Sequence, residues 1–316
     1  MSKIELATFY NGNKIPMVGL GTWKSKGSAA VDIIKDAIRI GYRHIDTAPI
    51  YGNEQEIGEA ITSSIQEGVV KREDLFLTSK LWNTQHRCDL VEPALRKTLC
   101  DLNVDYIDLY LIHWPFAYEE SKEYFPEGPD GKILFGDVDY IDTWKAMEQI
   151  LEKGLAKNIG VSNFNSKQLT RILDVCKVKP VTNQVECHPY LNQVKLSKFC
   201  KSHGIFITAY SPLGSSDRPW AKPGDPNLLE DPKIKEIADK YKKTPAQVIL
   251  RYQIQQDHII VPKSASKIRL EENTKLFDFQ LTEDDMQLLH TFDRKWRVCP
   301  MNSSVKHKDY PFYEEF

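Results

Sequence analysis

The stretch "HIDTAPIYGNE" at 44 to 54 holds an acid, Asp46, and a phenol, Tyr51, five residues apart behind a short apolar run. Further on, Lys80 sits in "LFLTSKL" and His113 ends "IDLYLIHW", each at the far end of a run that is otherwise almost wholly apolar. An acid, an ammonium, a phenol and an imidazole are the parts of a proton-delivery network. A free tyrosine, with a pKa of about 10, is a weak acid at neutral pH. An ammonium about 4 Å away, at an effective dielectric of about 20, favours the phenolate by roughly 4 kcal/mol, or about three pKa units at most. Lys80 is therefore expected to bring Tyr51 toward working pH. Asp46 would keep Lys80 charged and oriented while offsetting part of its field. His113 would act as a neutral donor to an oxygen on which negative charge develops.

Side chains from distant segments converge only if the elements carrying them are arranged around one rim. Strand patterns recur at 17–22, 44–48, 75–81, 107–114, 156–163, 181–186, 205–211 and 258–264, several of them apolar throughout as in strands buried on both faces. Amphipathic segments such as 28–41, 53–68, 140–154 and 231–243 lie between them, most ending in Gly or basic residues. This rhythm predicts an α/β fold, a closed (β/α)8 TIM barrel, preceded by a β-hairpin that turns at Asn11-Gly12. No composition shift or low-complexity linker divides the chain, so residues 1–316 read as a single domain. The long connections 115–139 and 212–230 follow strands and are expected over the C-terminal face, where barrel enzymes keep their sites. The same face would collect Ser162 and Asn163, Gln184, Tyr210 and Ser211, and Lys263 and Ser264 at successive strand ends.

Composition narrows the function classes. With 42 basic and 44 acidic residues and a net charge of −2, the chain has no electrostatic footprint for nucleic acid or an anionic membrane surface. The six cysteines, Cys88, Cys100, Cys176, Cys187, Cys200 and Cys299, lack close pairing, which argues against a disulfide framework or a structural zinc. A reduced cytoplasmic setting is expected. The first twenty residues are interrupted by Asn-Gly and Pro, and no stretch elsewhere is long enough to span a bilayer. "ECH" at 186–188 has no HxxxH or CxxC spacing near it, so no metal is expected. "GLGTWK" at 19–24 lacks the last glycine of a dinucleotide fingerprint, and neither a phosphate loop nor a GxSxG elbow occurs.

The segments "GLGTWKS", "GYRHIDTA", "GNEQEIGEA", "TSKLW", "LIHWP", "GVSNF", "NQVECHPYL", "AYSPLGS", "DRPWAKP", "VPKS", "EEN" and "KDYPFYEEF" occur in the order of the aldo-keto reductases. From about residue 8 to its end the chain resembles that family, close to its aldose reductase branch. The resemblance puts the family's catalytic tetrad on Asp46, Tyr51, Lys80 and His113. It implies reduction of aldehydes and ketones to alcohols, with Tyr51 giving the proton and NADPH the hydride, since no side chain supplies one. It further implies that Thr22, Trp23 and Asp46 border the cofactor and that Tyr210 stacks on the nicotinamide. Ser162, Asn163 and Gln184 would bind the carboxamide, and Ser211, Leu213, Ser215 and Asp217 would line or cover the pyrophosphate. Lys263, Ser264 and Arg269 match the 2′-phosphate site, with Glu272 and Asn273 at the adenine; two cations and a hydroxyl favour NADPH over NADH.

Trp23, Ile50, Trp82, His113, Trp114, Phe125, Trp220, Cys299 and Met301 match the wall of the substrate pocket in aldose reductase-like members. A cup so rich in tryptophan favours aromatic, aliphatic or steroid-like carbonyls, with sugars possible. Pro49, Ser216 and Pro300-Met301 depart from the family pattern and bear on the substrate rather than the reaction. Members of this kind are commonly monomers. The family also includes barrels that keep the cofactor but serve as regulatory or structural partners; the complete tetrad and pocket favour the enzyme.

Overall fold

The computed structural model describes residues 4–314 and 316; residues 1–3, within the first twenty, and Glu315, within the closing motif, lie outside the described residues. Strands β1 (Leu6–Thr8) and β2 (Lys14–Pro16) form the expected antiparallel hairpin, pairing Ala7 with Ile15. Its turn needs Gly12, whose φ of 87° lies in the left-handed region. Phe9, in the hairpin, packs its ring 6.4 Å from Phe76 and 5.8 Å from Phe206. Both partners begin barrel strands, so the hairpin plugs the N-terminal end and leaves the opposite end open.

The barrel strands are β3 (Leu20–Gly21), β4 (His44–Asp46), β5 (Phe76–Leu81), β6 (Leu109–Ile112), β7 (Ile159–Ser162), β8 (Thr182–Glu186), β9 (Phe206–Tyr210) and β10 (Ile259–Ile260). Each runs parallel to the next in an 8-stranded order. The sheet closes on itself where Val18 bridges Ile260 and Gly19 N donates to Ile260 O at 2.8 Å. The fold is therefore a (β/α)8 TIM barrel. The first and last strands are shorter than the sequence pattern suggests. Pro262 has no N–H to extend the ladder, although its carbonyl still accepts from Gly21 N at 3.1 Å.

Helices α1 (Gly27–Ile40), α2 (Glu54–Gln66), α3 (Cys88–Leu102), α4 (Tyr140–Glu152), α5 (Ser166–Leu173) and α6 (Val194–Ser202) follow successive strands. The 231–243 segment is helical as α7 (Pro232–Tyr241), but it is not the crossover helix. That place belongs to α8 (Pro245–Ile254), which packs directly under β10. Ile234, Ile237 and Ala238 of α7 instead join Val248, Ile249 and Tyr252 of α8 in a separate apolar cluster. Two helices arise because the Asp231 side chain accepts from Lys233 N behind Pro232, the left-handed Lys242 ends the first, and Thr244 with Gln247 forms a capping box around Pro245. After β10 come α9 (Lys267–Thr274) and α10 (Glu283–His290), the latter adding Met286 and Leu289 to that outer cluster. Among the described residues no helix is long and apolar enough to cross a membrane, and no three His, Cys, Asp or Glu side chains are grouped to hold a metal ion.

Candidate active site

Asp46 is the last residue of β4, and the chain then turns sharply through the 3-10 segment Pro49–Tyr51. Proline suits the first position of that turn, and Gly52, at φ 63°, ends it. The Pro49 carbonyl also accepts the Tyr124 hydroxyl at 2.9 Å, tying the turn to the first long loop. Asn53 secures the turn by donating to Thr22 O at 2.8 Å and Ser25 O at 2.9 Å. The five-residue spacing is thus one strand end plus one tight turn, folding the phenol back toward the acid.

Lys80, on the neighbouring β5, is fully buried. Its Nζ donates to Asp46 Oδ1 at 2.7 Å, Thr47 O at 2.8 Å and Tyr51 OH at 3.4 Å. An ammonium has three protons and no lone pair, so all three are used and the Tyr51 oxygen must be the acceptor. The Tyr51 proton is left free to point elsewhere, and Tyr51 lines a cavity at the open end of the barrel. Gln184 Nε2 donates to the other oxygen of Asp46 at 2.7 Å, so this buried carboxylate is paired on both sides.

The electrostatics overturn one expectation. Burial is the largest influence on Tyr51 and raises its pKa above 10.0; Lys80 pulls it down and Asp46 pushes it back up, leaving the net displacement upward. Desolvation, invisible in a linear sequence, outweighs the ammonium. Burial also disfavours the Lys80 cation, but Asp46 and Tyr51 more than compensate and hold it above 10.5. His113 is driven well below 6.5 by burial and then by Lys80. It is a neutral imidazole at pH 7. Its Nδ1 is buried without a partner, which favours a bare lone pair there and the N–H on Nε2. Asn163 Nδ2 holds the His113 carbonyl at 3.0 Å, and the Tyr51 and Trp82 rings meet the imidazole edge-on at 6.0 and 5.1 Å.

Around this centre the C-terminal face opens into a cavity of about 1330 Å³. Every candidate catalytic, cofactor and substrate residue named in the sequence lines it except Lys80, which stands behind Tyr51 rather than at the surface. On one flank Tyr210 ends β9 and donates to Asn163 Oδ1 at 2.8 Å. Ser162 donates to Gln184 O at 2.8 Å. Asn163, Ser211 and Ser215 adopt left-handed φ values of 63°, 46° and 40°, a concentration of backbone strain along one wall. Thr22 donates to Asp46 O at 2.9 Å, and the Ser215 hydroxyl donates to that of Ser211 at 2.8 Å.

Beyond them Lys24 reaches from the loop after β3 to pair with Asp217, in the loop after β9, at 2.6 Å, while Lys263 approaches the same carboxylate at 3.7 Å. Lys24 is a site residue that the sequence reading passed over. Its only local signal is a cation next to the rim residue Trp23. Ser264 precedes the start of α9, whose first turn has no acidic residue, and Arg269, Glu272 and Asn273 project from that helix into the far end of the cavity.

The opposite flank is aromatic. Trp23 and Trp220 lie 5.6 Å apart, and Trp82 packs 5.4 Å from Phe125 while donating to Tyr124 O at 2.7 Å. Trp114 stacks against Phe116 at 5.4 Å, and Ile50 and Met301 also line the cavity. Both long loops contribute, Phe125 from the first and Trp220 from the second. Cys299 also lines this wall, but burial, followed by the Glu186 charge, lifts its thiol to about 12. Its thiolate fraction at pH 7 is on the order of 1 in 10⁵. Peptide-resolved labelling with iodoacetamide at neutral pH is expected to be at least roughly 100-fold slower at Cys299 than at the exposed Cys88. Equal rates would mean the wall opens in solution.

The comparisons agree with this architecture. The aldo/keto reductase family model matches residues 17–294. Aldo-keto reductase family 1 member A1 of Gallus gallus is 50% identical, with 99% of this chain and 98% of that protein covered. Its namesake from Homo sapiens is 47% identical, with 97% and 98% covered. The solved structure of the aldose reductase from Schistosoma japonicum superposes with a TM-score of 0.93 at 43% identity, covering 99% of this chain and 100% of that one. A closed barrel with a buried acid and ammonium beside a phenol at its open end, matched along nearly its whole length by these relatives, places the chain in the aldo/keto reductase family.

Proposed function

We propose that the protein reduces aldehydes and ketones to alcohols at the expense of NADPH, with Tyr51 as the proton donor. The observation that carries this reading is the three-way use of the Lys80 ammonium, which leaves a neutral phenol with its proton directed away from the buried pair. NADPH, when bound, supplies the hydride. The residues present suit such a cofactor. The cavity exceeds the roughly 300–1,000 Å³ of an ordinary small-molecule pocket. One arm runs from the polar cluster Ser162, Asn163 and Gln184 past Tyr210 to the cations Lys24, Lys263 and Arg269. A helix start flanked by cations and a hydroxyl suits a phosphate.

In this mechanism His113, neutral and carrying its proton on Nε2, binds and orients the substrate oxygen. Tyr51 donates its proton to that oxygen as negative charge builds there. Lys80, already bonded to the Tyr51 oxygen, stabilises the phenolate left behind. Asp46 keeps the ammonium charged and in place, and Gln184 keeps Asp46 in place. Trp23, Trp82, Trp114, Phe125 and Trp220 enclose the rest of the substrate, which supports aromatic, aliphatic or steroid-like carbonyls ahead of sugars. The reading extends to a cytoplasmic, single-domain monomer; one closed barrel that carries every site residue supports the single domain.

The direct test is loss of NADPH absorbance on adding an aromatic aldehyde. Steady consumption supports the reading. Tight NADPH binding without consumption of an aldehyde or a ketone favours a cofactor-sensing partner protein. Preference for the phosphorylated cofactor is a separate prediction. Replacing Lys263 or Arg269 with Met is expected to weaken NADPH binding by roughly 10- to 100-fold, the worth of a charge-assisted hydrogen bond, while NADH binding stays within about twofold. Fluorescence titration with both cofactors decides this, and equal losses would contradict the 2′-phosphate assignment.

A further inference from the structure

Glu186, the last residue of β8, is fully buried, yet the proton-delivery network makes no use of it. Its carboxylate collects three donors from chain segments far apart in sequence. Val298 N donates to Oε1 at 2.7 Å, Cys299 N to Oε2 at 2.7 Å, and His188 Nε2 to Oε1 at 2.9 Å. Burial pushes the carboxyl up, but His188, the Arg297 charge and the backbone N–H groups pull it net below its ordinary 4.5, so the side chain is an anion. A buried carboxylate is costly unless its lone pairs are filled, and here two successive backbone N–H groups fill both oxygens.

Those two amides lie where the C-terminal segment enters the cavity. Val298, held through its N–H by Glu186, accepts Trp220 Nε1 on its carbonyl at 2.7 Å. Cys299, Pro300 and Met301 continue from that point as cavity wall, and Met301 takes a left-handed φ of 49°. One carboxylate on a rigid strand thus fixes a backbone pair from which Trp220, Cys299 and Met301 are hung. Tyr51, Lys80 and His113 hang from β4, β5 and β6, on the other side of the barrel, and none of them bonds to the clamp.

We infer that Glu186 is a positioning residue for substrate selection, clamping the C-terminal segment against the barrel so that it forms a wall for bulky carbonyl substituents. The inference rests on the reductase reading for its substrate consequence, but the clamp itself does not. Glu186→Gln is nearly isosteric. Its amide can offer one oxygen to Val298 and His188, but then turns an NH2 toward the Cys299 N–H. The anchor at residue 299 is lost while packing is kept.

Hydrogen exchange followed by mass spectrometry on peptides spanning 296–303 tests the clamp without turnover. Exchange at the Cys299 amide is expected to accelerate by at least about tenfold in Glu186→Gln, with the barrel strands unchanged. Unaltered exchange there overturns the clamp. Steady-state kinetics with NADPH test the selection. KM for a two-ring aromatic aldehyde is expected to rise roughly tenfold, while kcat for that substrate and both constants for a three-carbon aldehyde stay within about twofold. Equal losses on both aldehydes, or no loss on the larger, overturn the selective role. Tyr310→Phe, which removes the hydroxyl bonded to Pro300 O at the other end of the segment, provides a second route if Glu186→Gln fails to fold. It should shift exchange and KM in the same directions, and no shift in either overturns the account. If the native chain turns over neither aldehyde, the reductase reading fails while the exchange result still decides the clamp.

Discussion

Tyr51→Phe is expected to lower turnover of an aromatic aldehyde by about 10²–10⁴-fold, the range for losing a positioned general acid. The substitution keeps the ring that packs edge-on against His113 at 6.0 Å and lies 5.1 Å from the Lys80 ammonium. It removes only the oxygen that accepts from Lys80 and donates into the cavity. NADPH binding, measured by fluorescence titration, should stay within about threefold of the native protein, since no cation of the phosphate arm is touched. A mutant retaining a tenth or more of native turnover would shift proton delivery to another group. The same geometry fixes the pH dependence. The donor must be protonated, so activity is lost as pH rises through the Tyr51 pKa, which burial holds above 10.0. His113 must stay neutral, and burial with Lys80 holds its pKa well below 6.5. Reduction should therefore be nearly flat between those two values, with no tyrosine limb near neutrality.

Lys80→Met is the second large effect, and it acts on stability as well as rate. Removing the ammonium leaves Asp46, which is 3% exposed, with Gln184 and no counter-charge. Breaking a buried pair from one side costs roughly 3–5 kcal/mol, so Tm should fall by on the order of 10 °C. Turnover should also fall by about 10²-fold or more, because the phenolate formed on donation loses its neighbouring cation. The combined substitution Lys80→Met with Asp46→Asn separates the two roles. Neutralising both partners should recover much of the Tm, since no charge is left unpaired, while turnover stays low. Recovery of turnover together with Tm would mean that Lys80 serves the fold alone.

Much of this architecture was legible in the chain because barrel strands are buried on both faces and announce themselves as apolar runs. The polar residue that breaks each run at its end marks the rim, which is how Asp46, Lys80, His113, Gln184 and Tyr210 could be gathered before any coordinates. Features that depend on a tertiary partner were not legible. The caps and amphipathicity of 231–243 mark a helix equally well whether it packs on the sheet or, as here, on α8. The acidity of Tyr51 was misjudged because Coulomb's law can be applied to a residue pair, whereas desolvation depends on all that surrounds it. Lys24 carries no pattern that foretells its reach to Asp217. Glu186 stands in "ECH" and in "NQVECHPYL", neither of which gives it a role. Its partners at 298 and 299 are more than a hundred residues away and are backbone amides, which no motif can name.

The most direct test of the central claim follows the hydrogen itself. The native protein would be incubated with an aromatic aldehyde and NADPH carrying deuterium at both C4 positions of the nicotinamide, and the alcohol formed would be weighed by mass spectrometry. The account predicts one deuterium on the carbinol carbon of each product molecule, in ordinary water, at a yield matching the NADPH consumed. Alcohol without deuterium, or no alcohol while NADPH binds, would contradict hydride transfer at this site.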